Sequence, residues 1–185
     1  MTVGAVILAA GRGRRMGGPK HLLEIGGRTM LEHVARALAG SAAAELRIVL
    51  GPGDQAGARA AAALGLAALE AESGDEGRAA SVRAAVRASP EDHALLFALA
   101  DQPWLESRDF DRLIARAEES RIVQAHYDGA PGSPVLFGPF FRAELLELVG
   151  REGGRVIVQR HPEALIPVEL DPERGRDVDR PEDLH

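Results

Sequence analysis

The chain has 185 residues, 45% of them hydrophobic and 27% charged, with a net charge of −6 and no cysteine. These figures fit one globular domain spanning 1–185, and they exclude disulfides, thiolate metal sites, a cysteine nucleophile and any global positive field for nucleic acid. The opening MTVGAVILAAG has no basic leader and an apolar run too short to span a bilayer, so a cytoplasmic protein without membrane contact is expected.

Taken in chain order, VGAVILAAG (3–11) is a continuous apolar run closed by glycine, the pattern of a parallel strand buried on both faces. TMLEHVARALAG (29–40) places Met30, Leu31, Val34 and Leu38 at helical spacing and stops on Gly40. LRIVLG (46–51) predicts a second buried strand, GDQAGARAAAALG (53–65) an alanine-rich helix, and ASVRAAVRAS (80–89) a helix opened by Ser81. HALLFALADQP (93–103) predicts a strand running into Asp101, and DFDRLIARAEES (109–120) a helix. RIVQAHY (121–127) and SPVLFG (133–138) follow as strands, PFFRAELLELVG (139–150) and GGRVIVQRHP (153–162) as helices, and ALIPVEL (164–170) as a late strand. Alternation of this kind predicts a three-layer α/β/α sandwich on a mostly parallel, Rossmann-like sheet. Ligands of such sheets sit beyond the carboxyl ends of the strands, where Gly11 and Asp101 both fall.

The loop after the first strand, GRGRRMGGPK (11–20), holds four glycines and four cations, among them Lys20, the chain's single lysine. Its spacing, G-x-G-x-x-x-G, departs from the dinucleotide fingerprint, and the ribose-binding acid is missing after the second strand, which ends IVLGPGD. It is not a Walker loop either, because neither serine nor threonine follows the lysine. The glycines let backbone N–H groups approach an anion, and the cation density suits a triphosphate. In a chain rich in arginine a solvated basic surface is the alternative reading of the loop. The lone lysine argues otherwise: a compact, mobile charge can follow a phosphate as charge moves, whereas arginine prefers a fixed fork.

ILAAGRGRRMGGPKHLLEIGGRTMLEHV resembles the N-terminal signature of the MobA-like NTP transferase superfamily, which includes the molybdenum-cofactor cytidylyl- and guanylyltransferases. The resemblance implies that the backbone of Leu8, Ala9, Ala10 and Gly11 borders base and ribose and that Arg12, Gly13 and Arg15 wrap the phosphates. Lys20 would bind the triphosphate and, with Arg15, stabilise the transition state. The L-A-A-G form at Leu8–Gly11 accompanies cytidine over guanosine nucleotides in the family and so implies CTP.

An aspartate at the end of an apolar strand, as in LLFALADQPWL, can hold Mg²⁺, which takes one or two carboxylates beside phosphate oxygens and water. It can also merely cap the turn before Pro103. Asp101 resembles the family's metal-binding D-x-P, which favours the first role. RDVDRPEDLH (176–185) could start a final helix at Asp179, with Pro181 in its first turn. It also resembles the family's terminal D-[IV]-D-x-P-E-D-L, whose acids complete the metal site, so Asp177 and Asp179 are both candidates. They alternate sides of an extended segment, so one of them faces the metal.

SGDEGRAASVRAAV (73–86) resembles the family segment G-x-x-x-S-[LV] that borders the base, here Gly77 and Ser81, with Gly74 where tryptophan is usual. Ser81 could also serve as a helix N-cap. YDGAPGSPVLFG (127–138) resembles the acceptor-side Y-x-G-x-x-G-H-P-V-x-F, with Ser133 in place of histidine, a departure that bears on the acceptor more than on nucleotide transfer. The six histidines form no i, i+4 ligand pair and no HExxH pattern, and are expected to be structural or exposed. The implied activity is CMP transfer from CTP to the terminal phosphate of a molybdopterin-type acceptor with Mg²⁺, the product passing by transient contact to a molybdoenzyme or its chaperone. Another phosphorylated acceptor or base, or a related nicotinamide-dependent oxidoreductase, are the alternatives.

Overall fold

The computed structural model describes residues 1–10, 19–71 and 77–178. After β1 (Val3–Leu8) a short 3₁₀ turn, Lys20–Leu22, leads into a two-strand hairpin, β2 (Glu24–Ile25) and β3 (Arg28–Thr29). Then come α1 (Met30–Ala39), β4 (Glu45–Leu50), α2 (Gln55–Ala63), β5 (Ala67–Glu70), α3 (Arg78–Arg87) and β6 (Ala94–Leu99). The rest is α4 (Ser107–Ile114), β7 (Ile122–Tyr127), β8 (Ala130–Phe137), α5 (Arg142–Glu147), α6 (Arg155–Arg160) and β9 (Leu165–Leu170), with single 3₁₀ turns at Pro139–Phe141, Pro162–Ala164 and Pro172–Gly175.

Seven strands form one sheet in the order β5-β4-β1-β6-β8-β7-β9. β5, β4, β1 and β6 pair in parallel, as do β7 and β9, while β8 runs antiparallel to both neighbours. Side chains alternate across a strand, and β1 shows the result: Ala5 and Ile7 enter one apolar cluster, Val6 the other. The first cluster takes Leu31, Val34 and Leu38 of α1 with Phe110 and Leu113 of α4. The second takes Ala79, Ala80, Val82, Ala85 and Val86 of α3, Leu145 of α5 and Ile157 of α6. Two helical layers therefore enclose the sheet, as the alternation of elements predicts. Each buried leucine or valine of α1 contributes roughly 1.5–3 kcal/mol, and α1 is capped by Thr29, whose Oγ1 accepts from the Glu32 N–H at 3.1 Å.

The differences from the sequence reading have local causes. α3 starts at Arg78, behind Gly77, so Ser81 is its fourth residue and buried rather than its cap. α4 starts at Ser107 because the Asp109 carboxylate accepts the Glu106 N–H at 2.8 Å, and it ends at Ile114. The expected helix over 139–150 is a 3₁₀ turn followed by a short α-helix, since Leu148 turns extended before Gly150, which has φ +56°. β5 escapes the pattern because it is an alanine-rich edge strand with little buried surface, and the β2–β3 hairpin is only two residues deep around Gly26–Gly27. A helix after Asp179 lies outside the described residues.

Candidate functional site

A cleft of about 1110 Å³ opens at the carboxyl ends of β1 and β6. It is bordered by the Leu8–Ala10 backbone, the Lys20 turn, Asp101, the start of α3, the start of β8 and Asp177. Among the described residues the structure brings Leu8, Ala9, Ala10, Lys20, Gly77, Ser81, Asp101 and Asp177 to this one cleft. Gly11, Arg12, Gly13, Arg15 and Asp179 lie outside the described residues.

At the centre of the cleft Lys20 Nζ donates to Asp101 Oδ2 at 2.8 Å, with 17% of the lysine side chain and 31% of the aspartate side chain exposed. The pair joins positions 81 residues apart, and a small apolar knot explains how they meet. Ile25, Met30 and Val178 are buried together, with Leu23 and Trp104 packed against them. The turn that carries Lys20, the segment after Asp101 and the C-terminal strap thus share one satellite core. Hydrogen bonds to backbone carbonyls fix the strap further. The Val178 N–H donates to the Asp101 carbonyl at 3.1 Å, Gln102 Nε2 to the Gly175 carbonyl at 3.2 Å, and Arg174 to the Trp104 carbonyl at 3.2 Å. Arg174 also pairs with Glu106, whose guanidinium contact holds that carboxyl below the usual carboxylate range. With the Val178 side chain buried in the knot, the preceding residue of the extended strap, Asp177, is presented at the cleft beside Asp101.

Asp101 and Asp177 are hard oxygen donors. No group of three or more His, Cys, Asp or Glu able to hold a metal ion occurs among the described residues. Two carboxylates without nitrogen or sulfur donors suit Mg²⁺ or Mn²⁺, which complete their shells from phosphate and water.

At the end of β1 the Leu8–Ala10 backbone is locked: the Ala9 N–H donates to the Val49 carbonyl at 2.9 Å, and the Leu8 carbonyl accepts from the Ala100 N–H at 3.2 Å. Gly77 has φ +67° and ψ −146°, a conformation open to glycine almost alone. A Cβ there would lie 2.9 Å from the Gly150 carbonyl oxygen and 3.0 Å from Arg151 Cα. The backbones of 77 and 150 therefore touch, and that contact sets where α3 and Ser81 begin.

The sequence reading missed His21. Its ring is 4% exposed, at the floor of the cleft, with Nε2 3.1 Å from Asp54 Oδ2. The two atoms are close, but the contact is not a well-aligned hydrogen bond. Burial lowers the His21 pKa, and the Asp54 carboxylate opposes that shift. Nothing in the spacing could reveal the pair, because histidine and aspartate are 33 positions apart and meet only when β4 delivers Asp54 to the head of α2.

Gly132 and Ser133 line the cleft at the start of β8, and the Tyr127 hydroxyl donates to the Ser133 carbonyl at 2.6 Å. The ring lies between two glycines, since a Cβ on Gly132 or Gly175 would sit 2.6 Å or 2.5 Å from it. Burial, with the charges of Asp109 and Asp177, pushes the Tyr127 hydroxyl well above its usual pKa, so it stays a donor. Gln124 is also buried here and donates from Nε2 to the Gly132 carbonyl at 3.0 Å. Among the described residues no helix is long and apolar enough to cross a membrane.

The family model described as MobA-like NTP transferase domain matches residues 5–165. Nicotine blue oxidoreductase of Paenarthrobacter nicotinovorans is 31% identical over 193 residues, covering 99% of this chain and 95% of that protein. The 2-C-methyl-D-erythritol 4-phosphate cytidylyltransferase of Klebsiella pneumoniae is 39% identical over 121 residues, covering 64% of this chain and 51% of that enzyme. Among solved structures, Rv0371c of Mycobacterium tuberculosis H37Rv superposes with a TM-score of 0.84 at 28% identity, covering 99% of this chain and 95% of that one. The same protein in complex with manganese gives 0.82, covering 99% and 96%.

Proposed function

Since the chain belongs to the MobA-like NTP transferase domain family, we propose that it is a cytidylyltransferase that moves CMP from CTP to the terminal phosphate of a molybdopterin-type acceptor. The observation that carries this reading is the Lys20–Asp101 pair at 2.8 Å, beside the Leu8–Ala10 backbone and Asp177. Without substrate, lysine and aspartate neutralise each other. With substrate, Lys20 would exchange this partner for phosphate oxygens, and the Asp101 carboxylate would be released to hold a divalent cation. Charge balance in the cleft is kept while the ligand is desolvated.

An oxygen of the acceptor phosphate attacks the α-phosphorus in line, the bond to the bridging oxygen breaks, and pyrophosphate leaves. Such a transfer rests on positioning and on neutralising charge. Lys20 follows the negative charge as it builds on the leaving pyrophosphate. The Leu8–Gly11 backbone would border base and ribose, the Gly77–Ser81 segment would border the base, and Arg12, Gly13 and Arg15 would wrap the phosphates. Asp101 and Asp177 would hold Mg²⁺, which supplies neutralisation of the triphosphate; Asp179 is the other candidate in the tail. The nucleophile is already a phosphate anion, so a general base is dispensable. The product would pass to a molybdoenzyme or its chaperone in the cytoplasm.

The full-length likeness to nicotine blue oxidoreductase favours a second reading, a nicotinamide-dependent oxidoreductase on the same fold. Pyrophosphate release with Mg²⁺, comparing CTP, GTP, ATP and UTP with and without molybdopterin, separates the readings. CTP-specific release that requires molybdopterin supports the proposal. Release independent of molybdopterin points to another acceptor. No release from any nucleotide, together with nicotinamide-cofactor binding, establishes the second reading.

A further inference from the structure

We propose that His21 is a positioning residue for Lys20, acting through Asp54 to fix the backbone from which the lysine projects. Lys20 and His21 are consecutive in a 3₁₀ turn of three residues, whose own hydrogen bonds run from Leu22 to the Pro19 carbonyl (3.0 Å) and from Leu23 to the Lys20 carbonyl (3.1 Å). A turn that short does not support itself. The apolar knot of Leu23, Ile25, Met30, Trp104 and Val178 holds its outgoing side. His21 holds the lysine side: its buried Nε2 reaches Asp54 Oδ2 at 3.1 Å, and among the described residues no other polar partner meets that nitrogen.

Asp54 is in turn fixed, because its Oδ1 accepts the Gly57 N–H at 2.8 Å at the head of α2. Gly57 leaves room for the pair. A Cβ there would sit 2.8 Å from His21 Nε2 and 2.6 Å from Asp54 Oδ2. A continuous path therefore runs from the head of α2 through Asp54 and His21 to the Lys20 backbone, and across the cleft to Asp101. Small displacements of a charge-stabilising group are costly, about 10²-fold in rate for a shift near 1 Å, so a lysine on a short turn needs such an anchor. For activity this inference rests on the assignment of Lys20 given under Proposed function; for lysine placement it does not.

Because Lys20 is the single lysine, ¹³C-lysine labelling gives one side-chain Cε resonance that reports its placement without any turnover. In His21→Ala the resonance is expected to leave its unsubstituted position and move toward that of Asp101→Asn, in which the 2.8 Å carboxylate contact is removed. In His21→Gln, which can restore an N–H toward Asp54, it should stay near the unsubstituted position. Should His21→Ala fail to fold, Asp54→Asn keeps a competent helix cap while removing the carboxylate, and the same shift is expected. A folded His21→Ala or Asp54→Asn with an unmoved resonance overturns the proposal. In pyrophosphate release, His21→Ala should lower kcat about 10–100-fold, with His21→Gln recovering most of it. Added to Lys20→Ala it should cost less than about 2-fold more, since residues acting as one unit are not additive. Fully multiplicative effects overturn the coupling. If no nucleotide is turned over but the resonance shifts as expected, the nucleotidyl-transfer reading fails and the anchoring stands.

Discussion

Replacing Gly77 by alanine tests the α3 side of the cleft at one atom. The new Cβ would meet two backbone atoms, the Gly150 carbonyl oxygen at 2.9 Å and Arg151 Cα at 3.0 Å, and neither can rotate away as a side chain would. The dihedrals, φ +67° and ψ −146°, cost of order 1–3 kcal/mol for a residue with a side chain. The smaller unfolded-state entropy of alanine returns about 0.4–1 kcal/mol. With the added overlap, a net loss of about 3 kcal/mol is expected, which at ~2–4 °C per kcal/mol lowers Tm by about 6–12 °C. Gly65→Ala is the internal control: it also has positive φ, +71°, but nothing lies within 4 Å of its Cβ, so the dihedral cost acts alone at about 1 kcal/mol. Urea unfolding of both variants, beside CTP titration by calorimetry, reads the outcome. Gly77→Ala should lose CTP affinity because α3 and Ser81 move, and Gly65→Ala should keep it. Equal midpoints for the two variants, or undiminished CTP binding by Gly77→Ala, would refute the reasoning.

Lys20→Ala is expected to lose at least ~10²-fold in turnover, about 2.7 kcal/mol, and near-native pyrophosphate release with CTP would sink that role. Asp101→Asn keeps the shape but not the charge; calorimetry with CTP should show that Mn²⁺ no longer tightens binding, and an unchanged metal effect would count against Asp101 as a ligand. Tyr127→Phe removes the hydrogen bond to the Ser133 carbonyl and should cost about 1 kcal/mol in urea unfolding, so an unaltered midpoint would argue that this contact is idle. The pH dependence follows from His21, whose folded pKa lies below the ordinary 6.5 because its ring is buried. The stability tied to its neutral form is fully present above 6.5. It is lost as pH falls toward the folded value, since the unfolded chain takes up the proton first. Between pH 7.5 and 5.5 the unsubstituted protein should therefore lose Tm faster than His21→Gln; matching slopes would remove His21 as the cause.

The alternation of apolar runs and helical periods was enough for the sandwich, because long buried strands such as β1 and β6 and a well-patterned helix such as α1 carry their burial in their composition. β5 was illegible for the opposite reason: as an edge strand of Ala67, Ala68, Leu69 and Glu70 it has no fully buried residue, so no alternation marks it. Lys20, Asp101 and Asp177 were legible as residues, through a solitary lysine, a strand-end acid and a tail motif. The resemblance already implied one shared site for them; what it could not show is the knot that joins Leu23, Met30, Trp104 and Val178 and holds the three segments together. His21 shows the limit most plainly. Its environment comes from Asp54 and Gly57, and a buried histidine next to a lysine reads, in one dimension, like any other.

The reversal of β8 divides the sheet into two unlike halves. β5, β4, β1 and β6 form an uninterrupted parallel block behind Leu8–Ala10 and Asp101, whereas β8, β7 and β9 form a mixed block behind Gln124, Tyr127 and Ser133. The β7–β8 connection, at Asp128 and Gly129, is a tight hairpin at the outer rim, with φ +50° and +77°. Residues can be exchanged along that hairpin without disturbing the register of β1 with β4 or β6. The architecture is thereby modular: a chain built this way can keep its charge-handling machinery while its opposite wall is rewritten for a different molecule. Tyr127 is the hinge of that arrangement, since its hydroxyl holds the changeable wall and its ring, against Gly175, the strap that presents Asp177.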